Sequence, residues 1–397
     1  MIPLALGLVG RDGKDLPLRL ADGRRIERGV IPLTRSAETF VFTEVDQAPV
    51  PSLNRDFSAP IRLVANLGVD ELRFLAAHDC DPFNRWQAVQ MLATRLLVDN
   101  VAALRAGATA RNDAGFLDAL GAIFADPTLE PAFVAQALTP PGEADIAREI
   151  GRDIDPDAIF TARSDLRAAI GTHLAAGLSE RYGRLASSAP YAPDAAGAGR
   201  RALRNVCLDL LVAAEQPGTI ALAARQYETA DNMTDRLAAL ATISLRDVPE
   251  RASALADFHA RHGDDPLIVD KWLSLQAAIP EAATLDRVKS LTTHAAFSFA
   301  NPNRVRALIG AFAMANQTQF NRADGGGYEF LVGTVLALDP KNPQVAARLL
   351  SALKSWRVLE PSRRARAQAA LQRVAAAPAL SRDVHDIATR ALGEGSA

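Results

Sequence analysis

The chain is poor in most of the residues that carry chemistry. Cys80 and Cys207 are its two cysteines in 397 residues. That is too few for a disulfide framework and fits a reducing compartment. Aromatic residues make up 6% of the chain. Net charge is nearly absent, with 44 Lys and Arg against 46 Asp and Glu. This balance argues against a nucleic-acid binder held by bulk electrostatics. Long apolar runs are also missing. Stretches such as Leu208 to Ala214 fall far short of the ~18–20 residues that a membrane-spanning helix needs. The N-terminus does not read as a secretory signal. Met1-Ile2-Pro3-Leu4 has no basic region before its apolar run, and Arg11, Asp12 and Lys14 come next without a small-residue cleavage site. The cytoplasm is therefore the expected location.

Catalytic motifs are lacking too. The six histidines are His78, His173, His259, His262, His294 and His385, and only His259 and His262 are neighbours. A zinc-peptidase helix needs His-Glu-x-x-His, because a four-residue step puts both imidazoles on one face. His259 and His262 have the wrong step and no Glu between them, and Gly263-Asp264-Asp265-Pro266 comes directly after. They read as a helix C-terminus, where the dipole favours a cation. There is no Cys/His metal cluster and no Gly-x-Ser-x-Gly elbow. Asp324-Gly325-Gly326-Gly327-Tyr328 lacks the Gly-Lys-Ser/Thr of a phosphate loop and reads as a tight turn. The motifs thus assign no catalytic residue, no metal ligand and no cofactor to this chain.

What is present is Ala, Leu and Arg in abundance, all strong helix formers. The first segment departs from this bias. Ile2 to Val9 is an apolar run, and Asp12-Gly13 and Asp22-Gly23 are turn signals. Leu16, Leu18 and Leu20 alternate with Pro17 and Arg19, Thr39 to Val45 is rich in β-branched and aromatic residues, and Ile61 to Val64 reads as a last short strand. Residues 1–66 are expected to form a small antiparallel β unit. It is thin for a sandwich of about seven strands, so either it packs tightly on the helical segment after it or part of the sheet is missing.

From Asp70 onward the apolar spacing turns helical, first at Glu71, Leu72, Phe74 and Leu75, then from Phe83 to Leu97. Helix starts are marked by Asp or Asn before Pro, at residues 81, 126, 155, 265, 301 and 342. The acceptor side chain caps free N–H groups, and Pro at the first helical position loses nothing. The last three marks lie 36 and 41 residues apart, the spacing of one helical hairpin per repeat. The expected fold is mainly α: an irregular α-α superhelix, solenoid-like, over 67–397, preceded by the small β-sandwich portion over 1–66. Ser187 to Arg200 reads as a loop. Trp86 and Trp272 read as packing residues, Asp231 or Asn232 as a helix cap, and Cys80 and Cys207 as buried free thiols.

Two helix starts stand out. Asn301-Pro302-Asn303-Arg304-Val305-Arg306 puts two cations in a first turn, against the macrodipole, so each calls for a partner. Asn342-Pro343-Gln344-Val345-Ala346-Ala347-Arg348 places Gln344 and Arg348 four apart on one face.

These stretches have company along the chain: Gln47–Leu53, Asp56–Pro60, Asp81–Trp86, Arg201–Cys207, Ala230–Asp235, Val269–Trp272, Asn301–Phe312, Asp324–Leu331 and Asn342–Arg348. Together, in this order, they resemble the C-terminal region of the bacterial aminopeptidase N group in the M1 family of zinc metallopeptidases. The family's zinc motif and its Gly-Ala-Met-Glu-Asn substrate motif are absent here. The resemblance implies a non-catalytic part of a zinc aminopeptidase: a partial β-sandwich whose earlier strands are missing, and a helical domain that caps the active site and lines the peptide channel. Met1 would then start a piece of a longer protein. The parent would remove N-terminal residues from peptides, with zinc held by upstream domains, and this chain alone would be inactive. Residues Arg306, Gln344 and Arg348 match positions that line the channel beyond the scissile bond. The implied partners are the upstream catalytic domains and peptide substrates. Self-association through the truncated β portion is expected when these domains are absent. The alternative reading is a stand-alone α-solenoid scaffold that binds peptide or protein.

Overall fold

The computed structural model describes residues 1–24, 26–187 and 190–393. Three strands open the chain: β1 (Ile2–Val9), β2 (Val30–Leu33) and β3 (Val50–Leu53). They form an antiparallel sheet in the order β2-β1-β3. The first half of β1 pairs with β2, from Ile2 opposite Leu33 to Ala5 opposite Val30. The second half pairs with β3, from Leu6 opposite Leu53 to Val9 opposite Val50. Leu6, Leu8 and Val9 are buried.

The strands expected at Thr39–Val45 and Ile61–Val64 do not form. The first makes only an isolated bridge, Phe42 to Leu20, and the second joins no ladder. The real partners of β1 each carry a proline, Pro32 and Pro51. Proline cannot donate to a ladder, which hides such strands from a propensity reading, and both sit at sheet edges where that loss is tolerated.

Beyond the sheet the chain is helical, as its composition requires. Five of the six Asp/Asn-Pro marks begin helices: Pro82–Arg105, Pro156–His173, Pro266–Ala277, Pro302–Val305 and Pro343–Leu350. The caps work as expected. Asp265 Oδ1 accepts from the N–H groups of Leu267 and Ile268 at 2.9 and 3.3 Å, and Asn342 Oδ1 accepts from Val345 at 3.2 Å. The exception is Asp126. One of its oxygens folds back onto the Thr128 N–H and hydroxyl, at 2.9 and 2.6 Å, and the other takes Arg85 at 3.1 Å. With both oxygens engaged it makes a turn, and the next helix starts at Pro131.

The expected loop at Ser187–Arg200 is shorter than its composition suggested. A helix runs over Ala195–Ala213, capped by Asp194 on Gly197 N–H at 2.6 Å. Ser188 and Ala189 within that loop lie outside the described residues. Asn232 caps Met233–Ser244, and Trp272 is buried with its indole N–H on Leu255 O at 2.9 Å.

Cys207 is buried, and burial pushes its thiol up to about 12. Cys80, expected to be buried, is exposed. Its neighbours take the interior instead. Asp79 and Asp81 turn inward to Arg55 and to the backbone of Asp56 and Asn84, which leaves the thiol on the rim, 3.4 Å from Asp15.

The chain divides into two compact units. One comprises Met1–Ala103, Ala108–Pro141 and Asp165–Ala214. The other comprises Leu104–Gly107, Gly142–Ser164 and Glu215–Ala397. Among the described residues no helix is long and apolar enough to cross a membrane.

Candidate functional site

The two unusual helix starts lie in the second unit, on helices that pack together. The first runs as Pro302–Val305, a π-helical turn over Arg306–Gly310, and Ala311–Ala315. The second is Pro343–Leu350. Gly310 marks their contact: a Cβ placed there would lie 3.9 Å from the Leu349 side chain and 3.8 Å from Arg306 Cβ. Arg306 is therefore on the side of its helix that meets the second helix. The buried faces are apolar, with Val305, Leu308, Ile309 and Phe312 on one helix and Val345, Leu349 and Leu350 on the other.

The two first-turn cations have different fates. Arg304 is a structural residue. Its guanidinium donates to the Asp270 carboxylate, to Pro266 O at 2.7 Å and to Ala296 O at 2.9 Å. It thus has the partner that its place against the macrodipole demands. Arg306 is exposed and donates only to the side chain of its neighbour Asn303. Gln344 and Arg348 are exposed as well. Neither side chain has a hydrogen-bond or ion-pair partner among the described residues. A guanidinium keeps five donors in a fixed fork, so Arg306 and Arg348 can serve a peptide carbonyl or carboxylate, while Gln344 can both donate and accept.

A separate cavity of about 460 Å³ opens in the same unit, walled by Ile154, Ile159, Leu353, Trp356 and Leu359. Its polar groups are mostly engaged elsewhere. Asn321 binds Tyr328 OH and Gln317, and Arg148 pairs with Asp145. Glu143 on its rim is raised above the usual carboxylate range by burial, with Arg163 pulling the other way. This is a packing hollow with one half-buried carboxyl rather than a set of converging reactive groups.

The histidines do not assemble a metal site. Among the described residues no three His, Cys, Asp or Glu come together to hold a metal. His259 lies against Trp272 and His294, with ring centroids 4.5 and 5.2 Å away, and His262 against Phe258 at 5.0 Å. Burial holds both imidazoles below the usual histidine range, helped by His294 for the first and by Arg236 and Arg261 for the second. This corrects the expectation of a dipole-stabilised cation. The helix terminus contributes about 0.3–1 kcal/mol at an exposed site, and desolvation against aromatic rings outweighs it.

These lowered values give stability a pH dependence of definite sign. A folded pKa below the unfolded value near 6.5 means that the unfolded chain takes the proton first as pH falls. The stabilisation is complete above pH ~6.5 and declines below it. The urea midpoint is expected to be lower at pH 5 than at pH 7.5, with a smaller difference in His259→Phe. An equal difference in the variant would contradict this.

Comparison with known proteins adds to this geometry. Residues 69–393 match a family described as a domain of unknown function, DUF3458_C, with ARM repeats, and residues 1–66 match DUF3458, with an Ig-like fold. The chain is 36% identical over 391 residues to aminopeptidase N of Escherichia coli K12, covering 98% of this chain and 44% of that protein. It is also 36% identical to aminopeptidase N of Caulobacter vibrioides, with the same coverage. Among solved structures, aminopeptidase A of Legionella pneumophila in complex with aspartic acid superposes with a TM-score of 0.83 at 25% identity, over 98% of this chain and 45% of that one. The chain thus spans less than half the length of the relatives it matches.

Proposed function

Because the chain belongs to the DUF3458_C family of ARM-repeat domains and is similar along its length to part of the bacterial aminopeptidases N, we propose that it is the non-catalytic C-terminal part of a zinc-dependent M1 aminopeptidase. In this reading residues 1–66 are a partial β-sandwich, and 67–397 are the helical domain that caps the active site and lines the peptide channel. The enzyme removes N-terminal residues from peptides in the cytoplasm. Its partners are the upstream catalytic domains and the peptide substrate. Where those domains are absent, the open edges of the sheet favour self-association.

One observation carries the site assignment. Of the two cations at the Asn301 helix start, Arg304 is consumed by internal contacts, while Arg306 stays exposed beside the helix that bears Gln344 and Arg348. Exposed guanidinium groups on adjacent buried-faced helices suit a peptide's carbonyls or C-terminal carboxylate. Among the described residues no three His, Cys, Asp or Glu gather to hold a metal, and in this reading zinc and the hydrolytic step belong to the upstream domains.

The test is kinetic and uses the protein that carries this chain together with the upstream domains. Arg348→Ala is expected to raise KM for a tripeptide about tenfold, the loss of a hydrogen bond to a charged group. Hydrolysis of an aminoacyl anilide should change little, since it lacks the residues that Arg348 would hold. The isolated chain is expected to hydrolyse neither substrate. Tripeptide KM values unaltered in both Arg306→Ala and Arg348→Ala would sink the assignment.

A further inference from the structure

The π-helical turn at Arg306–Gly310 interrupts an otherwise α-helical segment. Such turns are rare, insert one extra residue, and need a local cause. Here a group on another helix meets the turn. Ala311 N–H reaches back to Arg306 O instead of to Ala307 O, the acceptor that an α-helix would use. Ala307 O is then short of a donor, and the Ser274 hydroxyl supplies one at 2.8 Å. That hydroxyl also lies 2.8 Å from Asp270 O. It has a single proton. Asp270 O already has the helical donor of its own turn, which leaves Ala307 O as the acceptor in need.

Ser274 does not act alone. It lies on helix Pro266–Ala277, and Pro266, Asp270 and Ser274 succeed one another at four-residue steps along one face. Pro266 O and the Asp270 carboxylate hold the Arg304 side chain, and Ser274 holds the Ala307 carbonyl. The two grips fall on either side of Arg306.

We propose that Ser274 is a positioning residue for Arg306: its hydroxyl keeps the π turn open and so aims the Arg306 guanidinium. The proposal rests on the channel reading of Arg306 given above. Loss of the hydroxyl leaves the buried Ala307 carbonyl without its donor. The simplest repair returns Ala311 N–H to Ala307 O and removes the extra residue. The segment before the turn then shifts in phase against the segment after it by about 100°, one residue's rotation in an α-helix, and Arg306, at the junction, changes direction.

The experiment has a structural and a kinetic arm, with Ser274→Ala as the test and Ser274→Thr as the variant that keeps a hydroxyl. Crystal structures of the full chain are expected to show an α-helical turn in Ser274→Ala and the π turn in Ser274→Thr. A retained π turn in Ser274→Ala overturns the proposal. In the protein with its upstream domains, Ser274→Ala is expected to raise tripeptide KM roughly fivefold, leave anilide hydrolysis unaltered, and be rescued by Thr. An unaltered tripeptide KM in Ser274→Ala beside a raised one in Arg306→Ala overturns the positioning role and leaves the channel reading standing. If Arg306→Ala itself has no effect, the channel reading fails and the positioning role fails with it.

Discussion

Replacing Arg363 by Met is expected to destabilise the second unit by about 3–5 kcal/mol, the cost of breaking a buried ion pair from one side. Arg363 is 6% exposed. Its Nε donates to Asn321 O at 2.6 Å, Nη1 lies 3.3 Å from both Asp155 and Glu360, and Nη2 binds Asp157. One side chain thus ties together three stretches of chain far apart in sequence. Two of its partners are also helix caps: Asp155 for Pro156–His173 and Glu360 for Pro361–Ala375. Methionine fills much of the same volume but leaves Asn321 O, Asp155 and Glu360 without their donor in a poorly hydrated place, while the half-exposed Asp157 can turn to water. A whole domain has a net stability of only about 5–15 kcal/mol, so the loss is a large share. Arg363→Lys should recover part of it, because an ammonium keeps the charge but cannot reach all sites at once. Chemical denaturation with helical circular dichroism is the measurement. A midpoint for Arg363→Met equal to that of the unaltered chain would show that the cluster is replaceable.

A second large effect is expected at Gly171, and its sign is the point. Within an exposed helix, Gly→Ala should stabilise by about 1 kcal/mol. Gly171 lies in Pro156–His173 where that helix meets Ala195–Ala213. A Cβ there would come within 2.1 Å of Leu210 O and 2.9 Å of Ala214 Cβ. The obstacle is backbone, and Leu210 O already accepts from Ala214 N–H at 3.0 Å. The methyl can be accommodated only by moving the helices apart, at an overpacking cost of about 1–3 kcal/mol or more. Gly171→Ala is therefore expected to lower the melting temperature of the first unit, whereas Ala at the open Gly183 position, with nothing within 4 Å, should raise it. A rise at Gly171 would show that the two helices do not pack as closely as described.

Much of the architecture was legible in the residues. The Asp/Asn-Pro marks located helix starts because cap and proline act within a single turn, and they failed at Asp126, where Arg85 and Thr128 competed for the same carboxylate. The helical class followed from Ala, Leu and Arg content, and the ARM-repeat match agrees with it. The β portion was legible as β but not in its pairing. Pro32 and Pro51 obscured two real strands, and the β-rich Thr39–Val45 found no ladder.

At the candidate site, the sequence singled out Arg304 and Arg306 together and gave no ground to separate them. Asp270, 34 residues away, made that distinction by binding one and not the other. The π turn left no trace in the local sequence, because its support, Ser274, lies 33 residues from Ala307. The histidine pair shows the same limit. A helix end predicts a cation, and only the rings of Trp272 and His294 packed against His259 reverse that.

The sequence by itself determined helix content, cap positions, the want of a metal motif and the resemblance to a peptidase family, since these rest on composition and on residues a turn or two apart. The tertiary structure decided which cation is bound internally and which stays exposed, which thiol is buried, which edge strands pair and where a helix widens. Each of these depends on a partner brought close by packing, whose hydrogen bond or burial outweighs the local preference.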